Sequence, residues 1–357
     1  MSQGSGKSRA TQQKIEALRR NVDTLVVLSP FEAFTVLGKV IHMCGLEVRV
    51  IWCLLRNESG FDVFISRGYA GIFSMFIARL RSIRIVREVH ANALEEADIL
   101  GKNFLSRFML RSAAWLSNRL DRTADLRIFN NPSLLEWYQE HGGGNDNDND
   151  IYVYNGCDPS ARSYASREEV LERMNLPLDK KLLAFIGSAS KWHGVDYLVN
   201  LQLGFDENNE NVQIVCGGGV VAREIDPQKR LLNIAPLNAA GCADLIRAVD
   251  GCLLPVKNIR VSPGSPLKLY DYILNGGFVI AQASTPGYSD EIEKYGVGIT
   301  VDFTKIDQAR SDIMKALSVT KTCENYDSES IRALITWDAR MMDWIRAIDQ
   351  LPRHKEA

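Results

Sequence analysis

The feature that most constrains this chain is an alternation. Short apolar runs rich in Val, Ile and Leu are each followed by a stretch with helical patterning. Strands covered on both faces read as continuous apolar runs, and helical crossovers join parallel strands. Strands are therefore expected at Thr24–Leu28, Glu47–Ile51, Val63–Ser66, Ile83–Glu88, Arg127–Phe129 and Ile151–Tyr154, with helices such as Ala33–Met43 and Gly71–Leu80 between them. The pattern restarts after Tyr164. Strands are expected at Leu182–Ile186, Val212–Cys216, Leu231–Ala235, Gly251–Pro255, Phe278–Ala281 and Gly298–Val301. Helices are expected at Val195–Leu201, Ala240–Val249, Pro266–Asn275 and Tyr288–Lys294. This order predicts an α/β protein of two doubly wound, Rossmann-like units over 14–160 and 161–330, preceded by a disordered leader over 1–13. Ligands in such sheets bind outside the carboxyl ends of the strands, and two facing units enclose a cleft.

The 357 residues suffice for two domains of common size. A formal net charge of -2 argues against a nucleic-acid partner. The seven cysteines show neither a Cys-x-x-Cys pair nor zinc-ligand spacing, which predicts reduced thiols and a cytoplasmic location. Leu25–Leu28 is too short for a signal-peptide core, and no stretch approaches the roughly 20 apolar residues of a membrane span. Any membrane contact is expected to be peripheral.

Two motif-like segments read as bland. Gly4-Ser5-Gly6-Lys7-Ser8 imitates the end of a P-loop but lacks the preceding strand and the earlier glycine. The run Gly142-Gly143-Gly144 followed by Asn and Asp through Asp150 lacks the glycine and closing glutamate of a calcium loop. It is expected to be a solvated loop, and no metal site is expected.

Five segments carry chemistry. Val86-Arg-Glu-Val-His90-Ala-Asn92 ends a strand with a polar group at its carboxyl end. Tyr154-Asn-Gly-Cys-Asp158 reads as a turn between the two units. Phe185-Ile-Gly187-Ser188-Ala-Ser-Lys191-Trp-His193-Gly194 joins a strand to a helix, where backbone amides and a helix N-terminus favour an anion. Val215-Cys-Gly217-Gly218-Gly219 allows close backbone approach to a ligand. Arg260-Val-Ser262-Pro263-Gly264-Ser265-Pro266-Leu267-Lys268-Leu-Tyr-Asp271-Tyr272 is a loop entering a helix, followed by a glycine turn and a strand.

Read in order, these segments resemble retaining glycosyltransferases of family 4, which have the GT-B fold, over about Leu25 to about Trp344. The resemblance is specific in the second half and diffuse in the first. It implies transfer of a sugar from a nucleotide-diphosphate sugar to a glycan or lipid-linked acceptor, without a cofactor or catalytic metal. The setting it suggests is surface polysaccharide or lipopolysaccharide assembly. It implies that His90 bonds the donor sugar and that Gly187, Ser188, Gly217, Gly218, Ser262, Gly264, Ser265, Pro266, Leu267 and Lys268 line the donor site, with His193 beside them. Lys191 is either a cation for the diphosphate or a surface lysine. Asp271 holds the ribose hydroxyls, since a carboxylate accepts both hydrogens of a vicinal diol. The Ile335–Met341 segment resembles the family's closing helix, so 331–357 is expected to pack back on the first unit.

The chain departs from the family pattern in several places, Ala91 standing for a glycine and Asp271 for the second glutamate among them. His193 and Ser188 replace a basic pair, a variant associated with a Trp-His-Gly subgroup, and Pro263 stands where relatives carry the first of two glutamates. These departures keep a non-catalytic partner protein in play, and a sugar-nucleotide epimerase of the same fold is a further alternative. The stretches Arg79–Arg87 and Lys102–Arg122 mix arginine with large hydrophobes. Each is either an interfacial surface for anionic lipid or a basic face over an ordinary core.

Overall fold

In the computed structural model the apolar runs form two parallel sheets. The described residues are 6–28, 36–56, 60–68, 71–101, 103–141, 149–187, 192–218, 224–234, 236–257, 264–319 and 329–352. The chain divides into two compact units, one of Ile15–Tyr154 with Met341–Ala357, the other of Met1–Lys14 with Asn155–Arg340.

The first half of the chain contains helices α1 (Gly6–Asn21), α2 (Val36–Arg56), α3 (Ile72–Leu80), α4 (Ala93–Leu100), α5 (Phe104–Asp121) and α6 (Pro132–Glu140). Its strands β1 (Val63–Arg67), β2 (Arg84–Val89), β3 (Leu126–Phe129) and β4 (Asp150–Tyr152) form a parallel sheet in the order β1-β2-β3-β4. Two expected strands are corrected. Residues 24–28 join no ladder, and Glu47–Ile51 lies inside α2. Leu46, Val50 and Leu54 recur every fourth residue and pack on Met75, Ala78 and Ile85, a helical period that overrides the local alternation. Glu47 faces inward as well, where its carboxylate accepts the Ser74 amide at 3.0 Å and the Ser74 hydroxyl at 2.6 Å.

Arg84 and Arg87 also turn inward, so the Arg79–Arg87 stretch is not a continuous basic surface. Arg84 donates to the Ile348 carbonyl at 2.9 Å, and Arg87 pairs with Asp121 of α5 at 2.6 Å. A buried guanidinium is tolerated only when paired.

The second half contains β5 (Lys181–Ile186), β6 (Val212–Gly217), β7 (Leu232–Asn233), β8 (Gly251–Leu254), β9 (Val279–Gln282) and β10 (Gly298–Val301). Its helices are α7 (Arg167–Arg173), α8 (Val195–Glu207), α9 (Ala239–Ala248), α10 (Leu267–Leu274), α11 (Ser289–Tyr295), α12 (Ile306–Val319), α13 (Glu329–Leu334) and α14 (Trp337–Asp349). The parallel order β10-β9-β8-β5-β6-β7 is that of a doubly wound dinucleotide-type sheet, reversing between β5 and β8. Leu183, Phe185, Ile214 and Ile280 of the sheet pack with Leu198, Phe205 and Ile313 of the helices. Full burial of each such side chain contributes roughly 1.5–3 kcal/mol.

The expected disordered leader is corrected from Gly6 onward, where α1 begins. Its anchors are side-chain contacts distant in sequence. Gln13 donates to Asp158 at 3.1 Å and accepts from the Trp337 indole at 3.2 Å, and the Lys14 ammonium lies 5.2 Å from the Trp337 ring centroid.

Candidate functional site

The reversal between β5 and β8 locates the crevice of the second sheet, because strands on its two sides send their connections to opposite faces. Gly187 follows β5 at φ 145° and Gly218 follows β6 at φ 94°. The Gly187 amide donates to the Gly217 carbonyl at 2.9 Å, holding the two turns side by side. A Cβ on Gly218 would stand 3.4 Å from the Gly187 nitrogen, an ordinary contact, so it is the φ of 94° that favours glycine there. Gly217 serves packing instead, since a Cβ there would meet Leu245 at 3.1 Å and Leu237 at 3.2 Å.

Helix α10 supplies the third wall. The Lys268 ammonium lies 4.4 Å from the Phe185 ring centroid and 2.8 Å from the point that a Cβ on Gly187 would occupy. The cation therefore reaches the turn because residue 187 is glycine. Desolvation pushes this ammonium down to about 7, with no charged neighbour acting on it among the described residues. A desolvated cation beside two glycine turns suits an anionic group such as a phosphate. Tyr272 frames the site from the core. Its phenol accepts the Ile186 amide at 3.1 Å and reaches the Leu253 carbonyl at 3.4 Å, tying β5 to β8 across the reversal.

The loop into α10 is braced from several directions. Pro266 is the N-cap in extended backbone, so Leu267 and Lys268 open the helix, whose leading amides lack intrahelical partners. Gly264 precedes them at φ 82°. The buried Ser265 hydroxyl accepts the Asn155 amide at 2.9 Å and lies 3.0 Å from the Tyr270 hydroxyl, while the Asn155 side chain donates to the Ser265 carbonyl at 2.6 Å. Ser265 thus fixes the loop rather than offering its hydroxyl to a ligand. Arg340 donates to the Asn155 carbonyl at 3.2 Å and pairs with buried Glu291 at 3.1 Å. Burial raises the Glu291 carboxyl, and Arg340 opposes that rise.

Asp271, one helical turn beyond Lys268, pairs with Arg9 at 3.0 Å. Burial raises its carboxyl above the usual range, Arg9 lowers it, and Asp158 raises it further. His193 stacks edge-on to Phe185, with ring centroids 6.0 Å apart. Ser188, Lys191, Ser262 and Pro263 lie outside the described residues.

His90 belongs to the other unit. Its Nε2 is 2.6 Å from Glu88 Oε1, two residues back on the same side of β2, and Asn130 donates to its carbonyl at 3.2 Å. Asn92, in the same segment, is the N-cap of α4, accepting from the amides of Leu94 and Glu95. Arg9, Asn155 and Tyr272 are site neighbours that motif reading did not assign a role. Asn155 lies in the Tyr154–Asp158 turn and Tyr272 at the end of the Arg260–Tyr272 segment, whereas Arg9 carries no local signal. No group of three or more His, Cys, Asp and Glu suited to a metal occurs among the described residues.

Helix α5 buries Ala114, Ser117 and Asp121 and turns its large side chains outward. Phe104 is 87% exposed and Trp115 58%, with Leu105, Phe108, Met109 and Leu116 also exposed. Leu94, Phe108, Arg111, Ser112, Trp115 and Leu116 line an open groove of about 600 Å³. Phe73, Phe76 and Leu80 of α3 and Trp52 of α2 are exposed as well. No helix among the described residues is long and apolar enough to cross a membrane.

No family model matches the chain, and no curated protein matches it by sequence. Solved structures do. Sucrose-phosphate synthase from Thermosynechococcus elongatus is similar at a TM-score of 0.71 and 14% identity, covering 98% of this chain and 94% of that one. Anabaena HepE in complex with UDP-glucose matches at a TM-score of 0.66 and 13% identity, covering 98% of each chain. WaaG, a glycosyltransferase involved in lipopolysaccharide biosynthesis, matches at 0.63 and 16%, covering 98% of this chain and 97% of that one. The two parallel-sheet α/β units thus have the GT-B fold of these neighbours.

Proposed function

We propose that the chain is a glycosyltransferase that binds a nucleotide-diphosphate sugar in its second unit and transfers the sugar to a glycan or lipid-linked acceptor. The observation that carries this reading is the convergence of Gly187, Gly218 and the desolvated Lys268 at the strand-order reversal. Fold neighbours that were solved with UDP or UDP-glucose support a nucleotide sugar as ligand.

In this reading the Gly218 amide, the first amides of α10 and Lys268 stabilise the charge that develops on the departing diphosphate. Asp271 accepts from the ribose hydroxyls, and His90 bonds the sugar. Lys191, Ser188 and Ser262 complete the phosphate contacts, and His193 flanks them. Transfer proceeds with retention and without a catalytic metal, as the resemblance to family 4 and its Trp-His-Gly subgroup implies.

The outward hydrophobes of α5, set among Arg107, Arg111 and Arg119, dock on anionic lipid, which brings a lipid-linked acceptor to a protein held on the inner membrane face. Surface polysaccharide or lipopolysaccharide assembly is the setting that fits.

The test is donor turnover. Nucleotide sugars are incubated with the protein and a bacterial lipid extract, and nucleoside diphosphate release is followed. Extract-dependent release from one donor, with label passing to lipid, supports the reading. The substitution of the family glutamate by Pro263 favours one rival, a non-catalytic partner, which binds a donor and releases nothing.

A further inference from the structure

Helix α1 brings a cation to the carboxylate that the proposed reading gives to the ribose. Arg9 Nη2 donates to Asp271 Oδ2 at 3.0 Å, with side chains 39% and 27% exposed. The approach is not a chance reach of a long side chain from a frayed end. One turn further along, Gln13 bonds both Asp158 and the Trp337 indole, and the Lys14 ammonium sits over the Trp337 ring. These contacts fix the register of α1 against the segments that carry Asp158 and Trp337.

We propose that Arg9 is a positioning residue of the donor site, holding Asp271 through one carboxylate oxygen so that the carboxylate presents its remaining acceptor capacity to a nucleoside's ribose hydroxyls. The inference rests on the donor-site reading given above.

The chemistry follows from the groups that face Asp271. Asp158 and Cys157 approach from the segment after β4, Cys242 from α9, Tyr272 from its own helix, and Arg9 from α1. Burial and Asp158 favour the protonated acid, and Arg9 alone among the acting groups favours the carboxylate. A protonated acid gives up an acceptor position and gains a donor, which a ribose diol does not need in its place. A carboxylate accepts at about four lone-pair sites, so one bond to Arg9 leaves capacity for two hydroxyls. Removing Arg9 therefore both frees the rotamer of Asp271 and moves its protonation toward neutral pH.

The test is calorimetric titration with UDP, GDP and ADP, and with the 2′-deoxy form of whichever binds, between pH 5.5 and 8.5. Wild type is compared with Arg9→Ala, Arg9→Lys, Asp271→Asn and the Arg9→Ala/Asp271→Asn double variant. The expected result is a loss of affinity of about tenfold in Arg9→Ala at neutral pH, the size of one charge-assisted contact. Its acid limb of binding moves to higher pH, Arg9→Lys recovers most of the affinity, and the loss disappears in the Asp271→Asn background and with the 2′-deoxy ligand. Unchanged affinity and pH profile in Arg9→Ala overturn the inference while leaving the donor site intact. Tighter binding in Arg9→Ala also overturns it, since Arg9 would then compete with the ribose. Wild-type protein that binds none of the three nucleotides overturns the donor-site reading and this inference with it.

Discussion

The Lys268 ammonium stands 2.8 Å from where a Cβ on Gly187 would be, so cation and glycine turn share one small volume at the end of β5. Gly187→Ala places a methyl in that volume and a side chain at φ 145°, a conformation that costs about 1–3 kcal/mol outside glycine. The flexible end of Lys268 moves aside and leaves the anion position. Nucleotide affinity is expected to fall by about tenfold or more, with a small drop in melting temperature, as read by calorimetry and a thermal melt.

Lys268 also predicts a proton count. Its ammonium is pushed down to about 7 by desolvation, so the free protein carries it largely neutral at pH 8 and largely charged at pH 6. A diphosphate beside it favours the charged form. UDP binding is therefore expected to take up close to one proton at pH 8 and little at pH 6, measured by calorimetry in buffers of different ionisation enthalpy. Lys268→Met removes the uptake. An uptake at pH 8 that survives the substitution assigns the proton elsewhere.

Asp271 carries opposite demands of stability and binding. Its folded carboxyl is raised above the ordinary value, chiefly by burial. The stability it contributes is present below its unfolded pKa and is lost as pH rises through the folded one. At pH 7–8 Asp271→Asn is expected to melt above wild type, the gap closing toward pH 4, while nucleotide binding weakens. A variant that melts lower at pH 8 contradicts this account of the half-buried charge.

Helix α5 exposes Phe104 and Phe108 in the company of Arg107 and Arg111. Co-sedimentation with phosphatidylglycerol vesicles at low salt is expected for wild type and is expected to drop several-fold in Phe104→Ser/Phe108→Ser, with the melting temperature unchanged. Both side chains already face solvent, so their removal leaves no cavity. Equal sedimentation of wild type and variant removes α5 from the membrane-docking reading.

Much of the fold was legible because parallel strands buried on both faces write themselves as apolar runs. Lys181–Ile186 and Gly251–Leu254 are strands for that reason, and the two-unit α/β expectation holds. Glu47–Ile51 reads as a strand because Val48 and Val50 alternate with Glu47 and Arg49 over a short window, whereas Leu46, Val50 and Leu54 define the helix over a longer one. The site was legible where chemistry and backbone coincide. Gly187 and Gly218 follow strands, and Lys268 opens a helix. Arg9 was not legible, because its partner lies 262 residues away and α1 has no apolar stripe strong enough to mark it as docked. The inward turn of Arg87 was hidden for the same reason, since its partner Asp121 lies 34 residues away on α5.

The measurement closest to the central claim is a calorimetric panel of UDP-, GDP- and ADP-sugars against wild type and Lys268→Met. The account predicts that one nucleotide class binds with a Kd in the micromolar range and that Lys268→Met weakens it about tenfold or more, the usual worth of a charge-assisted contact. Wild-type protein that binds no member of the panel, or binds one with equal affinity in Lys268→Met, contradicts it.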